Sequence, residues 1–135
     1  MTEFPYNTDH APPMPVCQAT FSVETTGRRL TLPAVVDTGA DATLIPLDYL
    51  RQLGARRVFE SGLRSQWGER RAVFLYLVDV QVGDIALPGL YAVGDDVGQE
   101  VVLGRDVLNR LRLLLDGPAQ VTQFLDDTTP RRIRR

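Results

Sequence analysis

Residues 35–41 read Val-Val-Asp-Thr-Gly-Ala-Asp, and this short stretch constrains the architecture of the chain more than any other. An apolar run leads directly into a carboxylate, Asp37, which is followed by a hydroxyl residue and then by Gly39. This order predicts a buried strand that breaks into a tight turn at the carboxylate. Because buried carboxylates with perturbed pKa values are common at catalytic sites, Asp37 is a candidate catalytic residue.

The tripeptide at residues 37–39 is also typical of a plain turn, in which Asp caps the turn and Gly takes a positive φ. Two flanking features favour a functional site: residues 33–36 are apolar, and residues 40–46 keep a buried character. Downstream, residues 101–108 read Val-Val-Leu-Gly-Arg-Asp-Val-Leu and predict a second apolar strand that leads into a helix. The sequence supplies no second carboxylate in a setting like that of Asp37.

Composition excludes several classes of protein. The 135 residues are 44% apolar and 24% charged, with a formal net charge of −2, which favours one soluble domain without an electrostatic footprint for nucleic acid. Cys17 is the only cysteine and His10 the only histidine, so we expect no internal disulfide, no zinc cluster and no Ser-His-Asp or Cys-His site. The longest apolar run, residues 72–78, is too short for a membrane span, and we expect a cytoplasmic location.

The chain divides into three predicted parts. Residues 1–15 contain four prolines and are expected to form an irregular leader, residues 16–126 form a single domain, and residues 127–135 form a basic tail. The arginine cluster at residues 131–135 is typical of a solvated chain end, and a weak contact with an anionic partner is the alternative.

Alternating hydrophobicity and turn residues predict mostly β structure. We expect a short helix at residues 47–53, opened by Pro46 and ended by Gly54, and a longer helix at residues 104–115. The predicted strands cover residues 16–25, 30–36, 55–67, 71–82, 85–93, 100–103 and 121–125. Many short strands, punctuated by 9 prolines and 11 glycines, favour a small sandwich or barrel.

Residues 36–43 and 102–108, about 60–70 residues apart, together resemble the retropepsin-like aspartic proteases, the single-domain family of retroviral and related cellular and bacterial enzymes. The resemblance covers about residues 19–125. It implies an all-β, retropepsin-like closed β-barrel or sandwich with one C-terminal helix and a flap hairpin, assembled as a homodimer. It also implies an aspartic endopeptidase that acts on protein or peptide substrates without a metal or a cofactor.

The resemblance assigns roles to residues of the two segments. Asp37 of each subunit would face its copy across a twofold axis, where the two carboxylates share one proton and activate a water. Thr38 would hydrogen-bond across the dimer, Gly39 would leave room for substrate, and Ala40 would line the cleft. Asp41 and Arg105 match a charge pair that ties the active-site loop to the helix; a surface pair of little energetic value is the alternative.

Two segments depart from the family pattern. The flap falls at residues 62–71, where Gln66, Trp67 and Gly68 replace a glycine-rich tip. Trp67 either covers substrate, contacts the other flap or is an ordinary aromatic residue. Prolines in residues 11–15 oppose the interleaving of chain ends that retroviral members use, so the dimer interface is expected to rest on residues 121–125 alone.

Three other interpretations stay open at this stage. The first is a catalytically weak or inactive dimer of the same fold that binds peptides or acts as a scaffold. The second is a small β-barrel interaction domain in which residues 37–39 form only a turn. The third, metal or phosphoryl chemistry at the doublets 95–96 or 126–127, lacks partner ligands at suitable spacing, and both doublets are typical of solvated loops.

Overall fold

The structure is a computed structural model that describes residues 2–64 and 70–126, with the side chains of residues 63, 64, 70 and 71 left out. The strands are β1 (Thr2–Pro5), β2 (Val16–Val23), β3 (Arg28–Val36), β4 (Leu44–Pro46), β5 (Arg57–Arg64), β6 (Arg70–Val82), β7 (Ile85–Asp95), β8 (Val101–Leu103), β9 (Leu113–Asp116) and β10 (Val121–Phe124). The helices are α1 (Leu47–Leu53) and α2 (Arg105–Leu108). In these ranges, no helix is long and apolar enough to cross a membrane.

Six strands close into a barrel. The larger sheet has the order β2-β3-β8-β4-β7-β6-β5, and an additional pairing of β2 with β6 joins its two sides. Thr20 lies opposite Gln81 and Ser22 opposite Asp79 in that closing contact. The prediction of an all-β closed barrel is confirmed.

The barrel interior is built from strands that alternate between inward and outward residues. Along β2, Cys17, Ala19, Phe21 and Val23 are buried, whereas their neighbours are half-buried or exposed. The far half of β6 contributes buried valines at 78, 80 and 82. Each buried valine or phenylalanine among them stabilises the fold by about 1.5–3 kcal/mol. The two strands therefore supply a substantial share of the core, and the other strands and both helices supply the rest.

A parallel pair of strands in the barrel wall sets the position of the predicted site. β3 and β8 run in the same direction, with Val36 opposite Leu103. Both strands are buried at their ends, as expected for parallel strands covered on both faces. The residues that follow them, Asp37 and Gly104, therefore emerge at the same edge of the sheet.

The hairpin expected at the flap is present. β5 and β6 pair antiparallel from Arg57 opposite Tyr76 to Arg64 opposite Arg70. The predicted tip residues Gln66, Trp67 and Gly68 lie outside the described residues, as does the predicted basic tail at 127–135.

The two helix predictions had different outcomes. α1 has the predicted bounds and ends at Gly54, whose φ of 67° suits glycine. The C-terminal helix exists but is shorter than predicted, because it ends at Leu108 and residues 113–116 form β9. The leucine spacing in this segment fits both a helix and a strand, and pairing of β9 with β10 decides between them.

The chain ends form a second, three-stranded sheet with the order β1-β10-β9. The prediction that residues 1–15 are irregular is wrong for β1, which pairs antiparallel with β10. The prediction that the dimer interface rests on residues 121–125 stays a prediction; within the single chain, β10 is paired on both of its edges. The boundaries of leader, domain and tail stay predictions.

Candidate active site

Asp37 lies where β3 ends, in a loop of residues 37–43 (the Asp37 loop) that is held by backbone hydrogen bonds. Its N–H donates to the carbonyl oxygen of Leu103 at 3.1 Å, and its own carbonyl accepts the N–H of Ala40 at 3.2 Å. Residues 37–39 are exposed. The expected burial of Asp37 is therefore wrong for the single chain: the strand that leads to it is buried, but the carboxylate lies on an open surface.

Gly39 orients the Asp37 carboxylate. Its N–H donates to Asp37 Oδ1 at 2.9 Å. A Cβ at position 39 would lie 3.2 Å from the same oxygen, so glycine permits this close approach. In the described ranges no group donates to Asp37 Oδ2, which leaves that oxygen open to a water, a substrate or a second carboxylate.

Arg105 joins helix α2 to the Asp37 loop by three contacts. Its backbone N–H donates to the carbonyl oxygen of Ala40 at 2.9 Å. Its Nη1 donates to the carbonyl oxygen of Thr38 at 2.7 Å, and its Nη2 forms an ion pair with Asp41 Oδ1. The structure thus brings Asp41 and Arg105 together as predicted. Ala40 is half-buried, and its role in lining the cleft stays a prediction.

The two side-chain contacts of Arg105, with Asp41 and with Thr38, differ in their surroundings. The Asp41 side chain is 81% exposed, so its ion pair lies in water and contributes little. In the other contact, the charged guanidinium of Arg105 donates to the backbone carbonyl oxygen of Thr38 in the Asp37 loop. Hydrogen bonds with a charged donor are stronger than those between two neutral groups.

Replacing Arg105 with lysine is accordingly expected to lower the free energy of unfolding by about 1–2 kcal/mol, because an ammonium cannot contact Thr38 and Asp41 with a planar fork. Asp41→Asn, which keeps the Thr38 contact, is expected to cost less than about 0.5 kcal/mol. Urea unfolding of both variants measures the difference. Equal losses would show that the ion pair, and not the carbonyl contact, holds the loop.

Gly104 occupies a space that no larger residue fits. A Cβ at this position would lie 2.6 Å from the carbonyl carbon of Ala42, 2.7 Å from its oxygen and 2.9 Å from the carbonyl oxygen of Ala40. All three atoms belong to the backbone of the Asp37 loop. The loop therefore packs directly against the turn that opens α2.

Thr43 and Asp106 form a second link between the loop and α2, one that sequence analysis missed. Thr43 is fully buried. Its N–H and hydroxyl donate to the two carboxylate oxygens of Asp106 at 3.0 and 2.8 Å, and its Oγ1 accepts the N–H of Gly104 at 3.2 Å. Asp106 also accepts the N–H of Val107 at 2.9 Å. The only signal in the sequence was a hydroxyl residue inside an apolar stretch.

Substituting Thr43 with valine is expected to lower the free energy of unfolding by about 2 kcal/mol, since it removes a hydrogen bond to a carboxylate and leaves the Gly104 N–H without its acceptor. Thr122→Val is the matched control, because Thr122 is equally buried but its hydroxyl has no hydrogen-bond partner in the described chain. The control is expected to be neutral or slightly stabilising. Similar losses in thermal and urea unfolding would contradict a specific role for Thr43.

A mainly apolar cavity of about 250 Å³ opens at β4, the strand that follows the Asp37 loop. Its walls come from β4, from α1, from the hairpin strand β6 and from the end of β7 with the residue after it. The lining residues are Leu44, Leu47, Ala72, Val73, Phe74, Tyr76, Val93, Gly94, Asp95 and Asp96. A cavity of this size and polarity fits one or two apolar side chains.

Three other side chains that could be reactive, those of Cys17, His10 and Asp95, are buried or hydrogen-bonded to groups other than Asp37. Burial raises the pKa of the Cys17 thiol to about 12, so this cysteine is protonated and unreactive at neutral pH. His10 Nε2 contacts Glu100 Oε1 at 2.9 Å. Asp95 Oδ1 accepts the N–H groups of Val97 and Gly98 in its own loop. No group of three or more potential metal ligands occurs among the residues that the structure describes.

Comparison with known proteins places this arrangement in a family. Residues 22–110, which include Asp37, Thr43, Gly104 and Arg105, match the family model described as "gag-polyprotein putative aspartyl protease". No curated protein matches the sequence.

Two solved structures share the fold. The EIAV protease in complex with the inhibitor HBY-793 is 19% identical, with a TM-score of 0.56 over 79% of this chain and 93% of that one. A retropepsin-like aspartic protease from Rickettsia conorii is 16% identical, with a TM-score of 0.60 over 90% of this chain and 86% of that one. With the family match over most of the barrel, the chain belongs to the retropepsin-like aspartic protease family.

Proposed function

We propose that this protein is an aspartic endopeptidase that works as a homodimer, in which Asp37 of each chain meets its copy across a twofold axis. The observation that carries the proposal is the exposed Asp37 carboxylate at the end of the parallel pair β3–β8, in a loop held by Gly39 and Arg105. The sequence contains a single Asp-Thr-Gly stretch, so a second copy must supply the second carboxylate.

Two carboxylates that meet across such an axis share one proton and titrate as a unit, and aspartic proteases are the standard example of this coupling. The unprotonated carboxylate removes a proton from a water as its oxygen attacks the scissile carbonyl carbon, and the protonated one donates to the carbonyl oxygen. When the tetrahedral diol collapses, the first carboxyl gives its proton to the leaving nitrogen as the C–N bond breaks. The second takes a proton from a diol hydroxyl, which restores the shared proton.

The surroundings of Asp37 support these roles. The Gly39 N–H holds Oδ1, so that the open Oδ2 is available to the water or to the partner carboxylate. Thr38 is exposed on the same surface, where its hydroxyl would meet the partner chain. The rigid attachment of the loop to α2 lowers the cost of holding reacting groups in place.

We further propose that the substrate is a peptide bound in extended form. A peptide between the loop and the β5–β6 hairpin would present its side chains alternately to the two sides. The apolar cavity at Leu44, Phe74 and Tyr76 favours a substrate with an apolar side chain close to the cut. The cytoplasm stays the expected location, on the ground that Cys17 is a free, buried thiol.

The proposal is tested by incubating the chain with an unbiased peptide library across roughly pH 4 to 7. We expect cleavage beside apolar residues, with an activity per chain that falls when dilution dissociates the dimer. Peptide binding without any cleavage would favour the alternative function, a dimeric peptide-binding or scaffold module. Activity per chain that stays constant in dilute, monomeric protein would contradict the shared active centre.

A further inference from the structure

The turn between β2 and β3 packs against the end of α1. Thr26 Oγ1 in this turn donates to the carbonyl oxygen of Leu53 at 2.7 Å. Residues 24–29 and 51–57 therefore lie side by side, and we call them together the arginine surface. Its charged residues are all exposed, in a chain whose formal net charge is −2. They are one glutamate, Glu24, and five arginines, Arg28, Arg29, Arg51, Arg56 and Arg57.

Two of these arginines have no partner within the described part of the chain. Arg28, Arg51 and Arg57 contact a backbone carbonyl oxygen, a carboxylate and an aromatic ring, respectively. The side chains of Arg29 and Arg56 form neither a hydrogen bond nor an ion pair with any residue in ranges 2–64 and 70–126. Their guanidinium groups are thus available to an anionic partner.

A cavity of about 220 Å³ opens beside Arg56. β7 pairs with one edge of β6, so β2 and β5 share the other edge, and these two strands diverge beside Leu77. The cavity fills the resulting gap. It is lined by the exposed Leu77 and by the buried Val23 and Val78, so it leads from the surface into the core. A cavity of this size fits one large apolar side chain.

An exposed apolar strip leads away from this cavity. Leu77 lies opposite Tyr91 of β7, and the Tyr91 ring centroid lies 5.3 Å from that of Phe59 in β5. The three side chains are 41%, 46% and 47% exposed. Exposed apolar patches rimmed by polar residues mark interaction sites, and aromatic residues and arginine are enriched in protein–protein interfaces. The cavity joins this strip, through Leu77, to the arginine surface, through Arg56.

The charges favour different chemistry inside and outside the cavity. Its walls carry Arg56 together with Glu24 and Asp79, and Asp79 also accepts a backbone N–H. Walls with charges of both signs favour an inserted side chain that is itself uncharged. Outside the cavity, the remaining charged residues of the arginine surface are arginines only. Arg29 is close by, because it lies opposite Ser22, which lines the cavity.

We propose that the arginine surface binds an acidic segment of another protein, which inserts one apolar side chain into the cavity and places its carboxylates on Arg29 and Arg56. Complementary charge of this kind steers a partner to its site and selects against partners of the wrong sign. This chain's own tail is a poor occupant, because residues 131–135 include four arginines. A nucleic acid fits less well, because its phosphates would meet Glu24 and Asp79 at the cavity.

The arginine surface lies far from the candidate active site. Arg28 and Arg29 open β3, and Asp37 follows the last residue of the same strand. At about 3.3 Å per residue, the separation along β3 is roughly 25 Å. The proposed binding therefore does not depend on catalysis at Asp37, and the two can be tested separately.

Fluorescence anisotropy of a labelled peptide tests the proposal, with the Asp37→Asn chain as receptor so that cleavage does not interfere. The probe is the peptide Asp-Glu-Asp-Glu-Leu-Phe. Its neutral counterpart is Asn-Gln-Asn-Gln-Leu-Phe, and Asp-Glu-Asp-Glu-Ala-Ala lacks the apolar anchor. We expect saturable binding of the probe and a Kd at least about tenfold higher for each of the other two peptides.

Substitutions in the same receptor locate the binding. Arg29→Glu and Arg56→Glu are each expected to raise the Kd of the probe at least about threefold, since repulsion replaces attraction. Arg110→Glu, at an exposed arginine outside this surface, is the control and should change the Kd less than about twofold. Leu77→Asn is expected to weaken the probe to the affinity of the peptide without an anchor. Leu114→Asn, at a leucine that is 46% exposed, is the matched control.

The outcomes decide the proposal without reference to protease activity, once circular dichroism has shown that the variants are folded. No saturable binding of the probe at up to about 500 μM receptor, or binding that Arg29→Glu/Arg56→Glu leaves unchanged, overturns the proposal. A labelled oligothymidylate that binds where the probe does not would assign the surface to nucleic acid. A dimer that Arg56→Glu dissociates in sedimentation would assign it to a second copy. Probe binding as expected, by a chain that in its wild-type form cleaves no peptide, upholds the surface while the proposed protease activity fails.

Discussion

Asp37→Asn is expected to lower kcat/KM for peptide cleavage by at least about 10³-fold while the fold and the dimer are retained. Asparagine has the shape of aspartate, and its amide oxygen can still accept the Gly39 N–H that now binds Oδ1. It cannot take a proton from water or hold the shared proton. Steady-state kinetics on a peptide found in the library experiment, together with sedimentation, measures both expectations.

Mixing the variant with wild type sharpens this prediction. If each active centre takes one Asp37 from each chain, an equal mixture that exchanges subunits leaves only about a quarter of the dimers with two aspartates. The activity per wild-type chain should therefore fall by about half. Activity that is independent of the added variant would contradict a shared centre, and equal cleavage by wild type and variant would point to a contaminating protease.

Gly104→Ala is expected to lower the free energy of unfolding by about 3 kcal/mol and to reduce catalysis with it. The Gly104 φ is −91°, which alanine adopts freely, so the constraint is space and not backbone conformation. The added methyl would meet backbone atoms of Ala40 and Ala42 at 2.6–2.9 Å, and backbone cannot rotate away as a side chain can. Urea unfolding and peptide cleavage would both report the displaced loop.

Gly117→Ala is the matched control for this change. A Cβ at Gly117 would meet no atom within 4 Å. The control is expected to stay within about 0.5 kcal/mol of wild type. If Gly104→Ala were as stable as Gly117→Ala, the loop and α2 would not be packed as tightly as the structure indicates.

The part of the fold that could be predicted is the part with local causes. At residues 33–39, an apolar strand, a carboxylate and a glycine follow one another, and each constrains its neighbour. The bounds of α1 followed in the same way from Pro46 and Gly54, which limit the backbone on either side. In contrast, residues 113–116 carry a spacing that suits helix and strand alike, and only the pairing with β10 determines their conformation.

The candidate site, too, could be predicted only where a short sequence pattern carries its residues. Asp37, Asp41 and Arg105 belong to two short patterns that can be identified in a single sequence. The role of Thr43 could not be derived, because the family resemblance assigned no role to Thr43 or to Asp106 and their contact exists only in the folded chain. The exposure of Asp37 was missed because strand burial says nothing about the surface beyond the strand end.

Strand β6 links two parts of the molecule, the β5–β6 hairpin and the barrel. Its first residues, from Arg70, form one side of the β5–β6 hairpin, and its last residues close the barrel against β2. Val78 and Val80 are almost fully buried in the same strand. A substitution at either valine that loosens the barrel wall is therefore expected to loosen the β5–β6 hairpin as well, because one continuous strand carries both.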